Sequence, residues 1–266
     1  MSAICDAYYQ IRRPHLARPD NLKFSLAPIK AELGNLHPSM ISQKTIDAYA
    51  SSRGRANATI MRELKCLRAA LAWGRDNLNT PAPRFRMPVK DSKPRDRWLT
   101  KAEARRLVDA CESPHIELFV QIALATGARS NAICELTWRQ VDLESGRINF
   151  GEDVGKKRRA VVPINNQLRA ALVQAANIRT TDYVIEYHKQ QVKDVRGALT
   201  RAARKAGLGK LGKHALRHTA ATWMVMDGRP YQEIARYLGA TVAMIERVYG
   251  HHNPDWLKSA SESLEF

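Results

Sequence analysis

Three short segments carry side chains able to work on an anion: Thr126-Gly-Ala-Arg129, His214-Ala-Leu-Arg217-His218, and the stretch running from Leu238-Gly239 to Tyr249-Gly-His-His252. Gly127 can end one helix and let the next begin at Arg129, where unpaired N–H groups and the helix dipole favour a negative group. A lone arginine after a helix cap is also an ordinary surface residue. His214 and Arg217 are three apart, so on a helix they share a face and can reach one phosphate. His214 and His218 have the four-residue spacing of paired metal ligands. However, Ala215 to Arg217 offer no carboxylate and the arginine opposes a bound cation, so no metal site is expected. Tyr249 closes an apolar helix beside His251 and His252; taken singly, such a tyrosine is a core residue whose hydroxyl finds a partner.

These residues need elements to position them. Thr100-Lys-Ala-Glu103 is a capping box that opens a helix and marks the start of a domain. Helices are expected over 101–111, 115–126, 130–137, 166–176, 190–206, 215–226, 230–238 and 241–249, with Arg147–Phe150 and Ala160–Ile164 forming a small antiparallel hairpin. Ile234, Leu238, Gly239 and Ile245 also fit two short helices joined by a turn, which supports a helix-turn-helix regulator as the rival reading. Before residue 80, helices are expected near 2–12, 22–33 and 42–51. A fourth carries Ile60, Leu64, Leu67 and Leu71 on one face and Arg62, Lys65, Arg68 and Arg75 on others. The Pro81–Pro94 stretch has four prolines among arginines and lysines and no apolar period. The expected organisation is a helical domain over 1–80, a basic linker over 81–97 and an α+β domain over 98–266, mainly helical with a small antiparallel sheet.

Charge bounds the partner. The 266 residues hold 43 Lys and Arg against 26 Asp and Glu, a net +17. Residues 1–90 contribute +9 of this, from 15 basic and 6 acidic residues. Such a surplus points to a polyanion, nucleic acid above all, although a ribosome-associated or simply soluble surface has the same balance. With 44% apolar and 26% charged residues, the chain is neither collagen-like nor disordered. No run approaches the ~20 apolar residues of a membrane span, and the N-terminus lacks the apolar core of a signal peptide. A cytoplasmic protein without membrane contact is expected. Cys5, Cys66, Cys111 and Cys134 are scattered, without a C-x-x-C pair, and read as reduced thiols.

In this order, TG-x-R, a basic hairpin, H-x-L-R-H, and LG followed by a tyrosine within YGH resemble the catalytic domain of the tyrosine recombinase, or phage integrase, family over about residues 98–255. The segment Asn57–Trp73 resembles the family's core-binding domain less specifically. The resemblance implies a site-specific DNA recombinase in which Tyr249 attacks a phosphodiester to form a 3′-phosphotyrosyl link. Arg129 and Arg217 clamp the phosphate, and His214 assists proton transfer. A lysine of the turn Gly155-Lys156-Lys157-Arg158-Arg159 protonates the departing 5′-oxygen, with Lys157 preferred over Lys156. Arg62, Lys65, Arg68, Arg158 and Arg159 are the expected DNA contacts.

No metal or cofactor is implied. The expected partner is double-stranded DNA, gripped between the two domains by a homotetramer on paired sites in the nucleoid. A directionality or bending factor is a further expected partner, and integration or excision of a mobile element is the expected role, with resolution of chromosome dimers and DNA inversion as the other roles left open. As the helical bundle begins near residue 1, no separate arm-binding domain is expected ahead of it. Two positions depart from the family pattern: Ala132, where an acidic residue is common, and Ala240, where His or Trp is. His218, His251 or His252 are the accessory groups able to compensate, and a catalytically impaired homologue is the second alternative.

Overall fold

The computed structural model describes residues 1–90, 97–151, 160–252, 261, 262 and 264. It divides into two compact units, Met1–Pro94 and Arg95–Phe266. The first is helical: α1 (Ser2–Arg12), α2 (Pro19–Leu33), α3 (Gln43–Ser52) and α4 (Asn57–Leu78). Ser42 opens α3 through a reciprocal capping box with Thr45, and Asn79 ends α4 in the left-handed region. Ile60, Leu64, Leu67 and Leu71 face a core completed by Ile4, Cys5, Leu26, Ile29, Ile46 and Tyr49. This is the apolar stripe of the sequence, at helical period.

Residues 82–89, read from sequence as linker, belong to this unit. Phe85 is buried in its core, with Ala82, Met87 and Val89 packed around it. The Arg68 guanidinium donates to the Phe85 carbonyl at 2.7 Å and lies 5.0 Å from the ring centroid, while Gln43 exchanges two hydrogen bonds with the Arg86 backbone. Prolines exclude a helix here, but an extended segment still buries its apolar side chains once side chains satisfy its backbone.

The unit also buries a charge. Glu63 is 2% exposed and accepts from the Tyr49 hydroxyl at 2.8 Å and from Arg53 Nε and Nη2, each at 2.9 Å. Burial alone would raise the Glu63 pKa, but the hydrogen bonds from Arg53 and Tyr49 and the Arg53 charge outweigh it and hold the carboxyl below its ordinary value.

The second unit contains α5 (Lys101–Asp109), α6 (Pro114–Thr126), α7 (Ser130–Cys134), α8 (Asn166–Asn177), α9 (Arg196–Lys205), α10 (Lys213–Met226), α11 (Tyr231–Leu238) and α12 (Val242–Tyr249). Its sheet orders β1 (Val141–Asp142), β2 (Arg147–Asn149) and β3 (Val161–Pro163) as an antiparallel meander, with Ile148 paired to Val162 on the buried face. Residues 152–159, which include the expected basic turn, lie outside the described residues. Helix α6 supplies Ile116, Phe119, Val120 and Ile122 to the core and packs along α10. Thr100 and Glu103 form the expected capping box. Just before it, buried Leu99 donates its N–H to Thr219 Oγ1 and accepts from Trp223 Nε1, each at 2.9 Å, so the entry of this unit is fastened to α10.

The helix expected over 190–206 begins only at Arg196. Gln190–Gln191 (β5) instead pairs antiparallel with Glu186–Tyr187 (β4) across His188 and Lys189, both at positive φ. Two consecutive left-handed residues make the tight turn that a two-residue hairpin requires, although neither is the usual glycine or asparagine. The helix expected over 130–137 stops at Cys134, because Thr137 caps a new short turn over Trp138–Gln140.

The buried carboxylate generates a stability prediction. Since the folded pKa of Glu63 lies below the unfolded value near ~4.3, its stabilisation is complete above that value and is lost as pH falls through the folded pKa. Glu63→Gln should cost about 3 kcal/mol at pH 7, as expected when a buried pair loses one charge, and clearly less at pH 3. Denaturant unfolding of the full chain at the two pH values measures this; an equal loss at both would refute the assignment.

Candidate active site

The site is framed by two helix ends. Helix α6 stops at Gly127 and α11 at Gly239, both in the left-handed conformation at φ 59°. A Cβ on Gly127 would press on Leu238 Cδ2 and stand 3.3 Å from Ala220 Cβ, so the positive φ favours glycine and the close approach adds to it, since the Leu238 side chain would have to shift. The C-terminus of α6 therefore lies directly against the C-terminus of α11. Helix C-termini expose carbonyls that lack intrahelical partners and carry the negative end of the helix dipole.

Two arginines close on these carbonyls. Arg217, on α10, donates from Nη1 to Gly127 O at 2.7 Å and from Nη2 to Leu238 O at 2.9 Å. Arg129, the N-cap of α7, donates from Nη2 to Gly239 O at 3.2 Å. Like charges repel, and burial followed by the neighbouring Arg129 lowers the Arg217 pKa to about 10, with Tyr249 acting in the opposite direction. Arg217 still stays charged at neutral pH. Its two carbonyl bonds use two of the five guanidinium N–H donors, and an oxyanion placed between the arginines would relieve their repulsion.

Tyr249 ends α12 with its ring 4% exposed, packed among Ala221, Val225, Ile234, Leu238 and Ile245. Its hydroxyl is 2.8 Å from His218 Nδ1, and His218 follows Arg217 directly on α10. Tyr249, Arg217 and His218 are thus brought together. His214, one turn earlier on α10, is exposed. Partial burial, then Lys213, Arg217 and Arg129, lower its pKa, so it is neutral at pH 7 and able to donate a hydrogen bond. Ala132 is buried beside Arg129 and Arg217, and Ala240 packs against the cluster that holds Tyr249.

The remaining candidates distribute as follows. His251 and His252 stack on each other at 4.0 Å in the short turn after α12, with His252 edge-on to Trp98 at 6.1 Å. Lys156, Lys157, Arg158 and Arg159 lie outside the described residues. In the first unit Arg62 and Lys65 are exposed on α4, whereas the guanidinium of Arg68 is committed to Phe85. Among the described residues, no three His, Cys, Asp or Glu side chains gather as a metal site would require, and no helix is long and apolar enough to cross a membrane.

Sequence reasoning missed the carbonyl clasp and the pairing of Tyr249 with His218. The two left-handed glycines were the available signal for the first. The second depends on how α12 crosses α10, which adjacency in an L-R-H string does not reveal.

The family model described as "Phage integrase family" matches residues 97–255. The integrase of Salmonella phage P22 is 27% identical over 198 residues, covering 69% of this chain and 51% of that protein, so the chain spans about half the length of that relative. Tyrosine recombinase XerC of Thermodesulfovibrio yellowstonii is 27% identical over 243 residues, covering 81% of this chain and 79% of that protein. Among solved structures, a lambda integrase tetramer bound to a Holliday junction superposes with a TM-score of 0.74 at 19% identity, covering 96% of this chain and 78% of that one. At that identity the likeness speaks for the fold.

The two-helix frame predicts a sensitive glycine. Gly127→Ala forces a Cβ into Leu238 at positive φ, and should cost about 2 kcal/mol or more in stability. Gly207→Ala has the same φ penalty with no neighbour within 4 Å and should cost less. Thermal unfolding of the two variants side by side checks the difference; equal losses would mean the α6–α11 contact is not tight.

Proposed function

The chain belongs to the phage integrase family, and from that premise we propose that it is a site-specific DNA recombinase that cuts and rejoins strands through a tyrosyl intermediate. The observation that carries the reading is the clasp that holds Arg129 and Arg217 together, with Arg217 close enough to Tyr249 to feel its hydroxyl and that hydroxyl held by His218. Attack on a phosphodiester builds negative charge on the nonbridging oxygens, and preorganised guanidinium donors stabilise that charge without a metal. Planar forks bind two such oxygens at once, which lysine cannot do.

In the reaction, Tyr249 Oη bonds to phosphorus as the bond to the 5′-oxygen breaks, leaving a 3′-phosphotyrosyl link and a 5′-hydroxyl. The link conserves the bond, so religation needs no nucleotide cofactor. Neutral His214 donates to a phosphate oxygen. Lys157, or Lys156 in its place, supplies the proton to the departing oxygen, with Arg158, Arg159, Arg62 and Lys65 on the DNA backbone. The partner is double-stranded DNA, with a homotetramer on paired sites and integration or excision of a mobile element as the role; membership of the phage integrase family and the P22 integrase relative support this.

Trapping a covalent adduct on a nicked cognate site tests the proposal. Tyr249→Phe should bind DNA and form no adduct, while EDTA should leave wild-type cleavage unchanged. Arg217→Ala or Arg129→Ala should slow cleavage by about a hundredfold or more, as for the loss of one oxyanion donor. Loss of cleavage in EDTA, or adduct formation by the Phe variant, would overturn the mechanism.

The acid is identified separately, because a 5′-bridging sulfur leaves without a proton. That substrate should restore cleavage to Lys157→Ala, or to Lys156→Ala, and should not restore Arg217→Ala. If neither lysine variant is restored, the acid lies elsewhere.

A further inference from the structure

Taking Tyr249 as the attacking group, as proposed above, we infer that His218 is the residue that accepts its proton. The family resemblance gives proton transfer to His214, yet the structure places Nδ1 of His218 2.8 Å from the Tyr249 hydroxyl, within the range for direct transfer. The two rings are 5.6 Å apart at an interplanar angle of 53°, so the imidazole meets the phenol at its oxygen end and does not stack on it. An imidazole whose Nδ1 accepts this bond is the neutral tautomer with its proton on Nε2, which is the form able to take a proton.

The surroundings divide the two histidines between different tasks. His214 stands beside Lys213, Arg217 and Arg129, and a proton taken there would add a cation to three others; burial and those charges already lower its basicity. In its neutral form it suits a hydrogen bond to phosphate. His218 lies on the opposite side of Arg217 in sequence, with α10 carrying it against α12, where Tyr249 is buried. A phenol removed from water needs an internal acceptor, since its free pKa is near ~10.

The step balances as follows. The Oη–H electrons stay on oxygen as the proton passes to His218 Nδ1, and the Oη–P bond forms. The P–O5′ pair leaves with the 5′-oxygen, which takes a proton from the lysine acid. On religation the 5′-hydroxyl attacks phosphorus and gives its proton back to the lysine amine, while the P–Oη pair leaves with Oη, which takes the proton from the imidazolium.

Single-turnover cleavage with a set of variants tests this. His218→Asn places an amide oxygen near the position of Nδ1, so it keeps a hydrogen-bond acceptor for the phenol and removes the base; His218→Ala removes both. Each should bind DNA normally and cleave about a hundredfold more slowly. Incorporating a fluorinated, more acidic tyrosine at position 249 should recover at least tenfold in both, and none in His214→Ala. His218→Asn cleaving within about threefold of wild type would reduce His218 to a positioning residue and overturn the inference. Slow His218 variants that the acidic phenol fails to recover, or recovery in His214→Ala alone, would overturn it as well. Adduct formation by Tyr249→Phe would instead sink the underlying reading of Tyr249, and is seen separately on the same gel.

Discussion

Everything at the site depends on holding two arginines together against backbone carbonyls. Arg217 and Arg129 are kept in place by carbonyls at the C-termini of α6 and α11. Partial negative charge on backbone oxygen costs no side-chain entropy to position and carries no full charge to neutralise the cations. These carbonyl bonds orient the pair without themselves cancelling its charge. A carboxylate at the position of Ala132 would lie on the same wall and take some of that charge for itself. With alanine there, the helix ends carry the orienting role.

That arrangement makes packing and charge inseparable. The carbonyls meet only because Gly127 lets α6 end against Leu238, and Leu238 is at once a carbonyl acceptor in the clasp and an apolar neighbour of Tyr249. The entry to the unit is tied to the same α10 through Leu99, Thr219 and Trp223. Helix α10 therefore anchors the fold with one face and presents His214, Arg217 and His218 with another. A core change that shifted α10 by a fraction of an ångström would act on stability and chemistry together.

The first unit handles charge in a different way. It sinks Glu63 into its core under Arg53 and Tyr49, and the exposed Arg68 fixes the segment after α4 through the Phe85 carbonyl. Arg62 and Lys65, exposed on α4, are compatible with a phosphate backbone. Part of the positive charge counted in the sequence is therefore structural, and net charge overstates the surface open to a polyanion.

The sequence by itself determined the helical periods, the capping boxes, the β2–β3 pairing and the order of residues that resembles one family. Those are local or pattern properties, carried by spacing along the chain. Arg129, Arg217 and Tyr249 stood out as candidates because their types and order are distinctive. The tertiary structure decided what touches what. It packed residues 82–89 onto the first core through Phe85 and opened a strand pair where a helix was expected, because burial and turn geometry outweigh propensity in short segments. It also drew the Tyr249 hydroxyl to His218, since partners 31 residues apart are set by the crossing of α10 and α12. Helix crossing arises from three-dimensional packing, and no one-dimensional spacing encodes it.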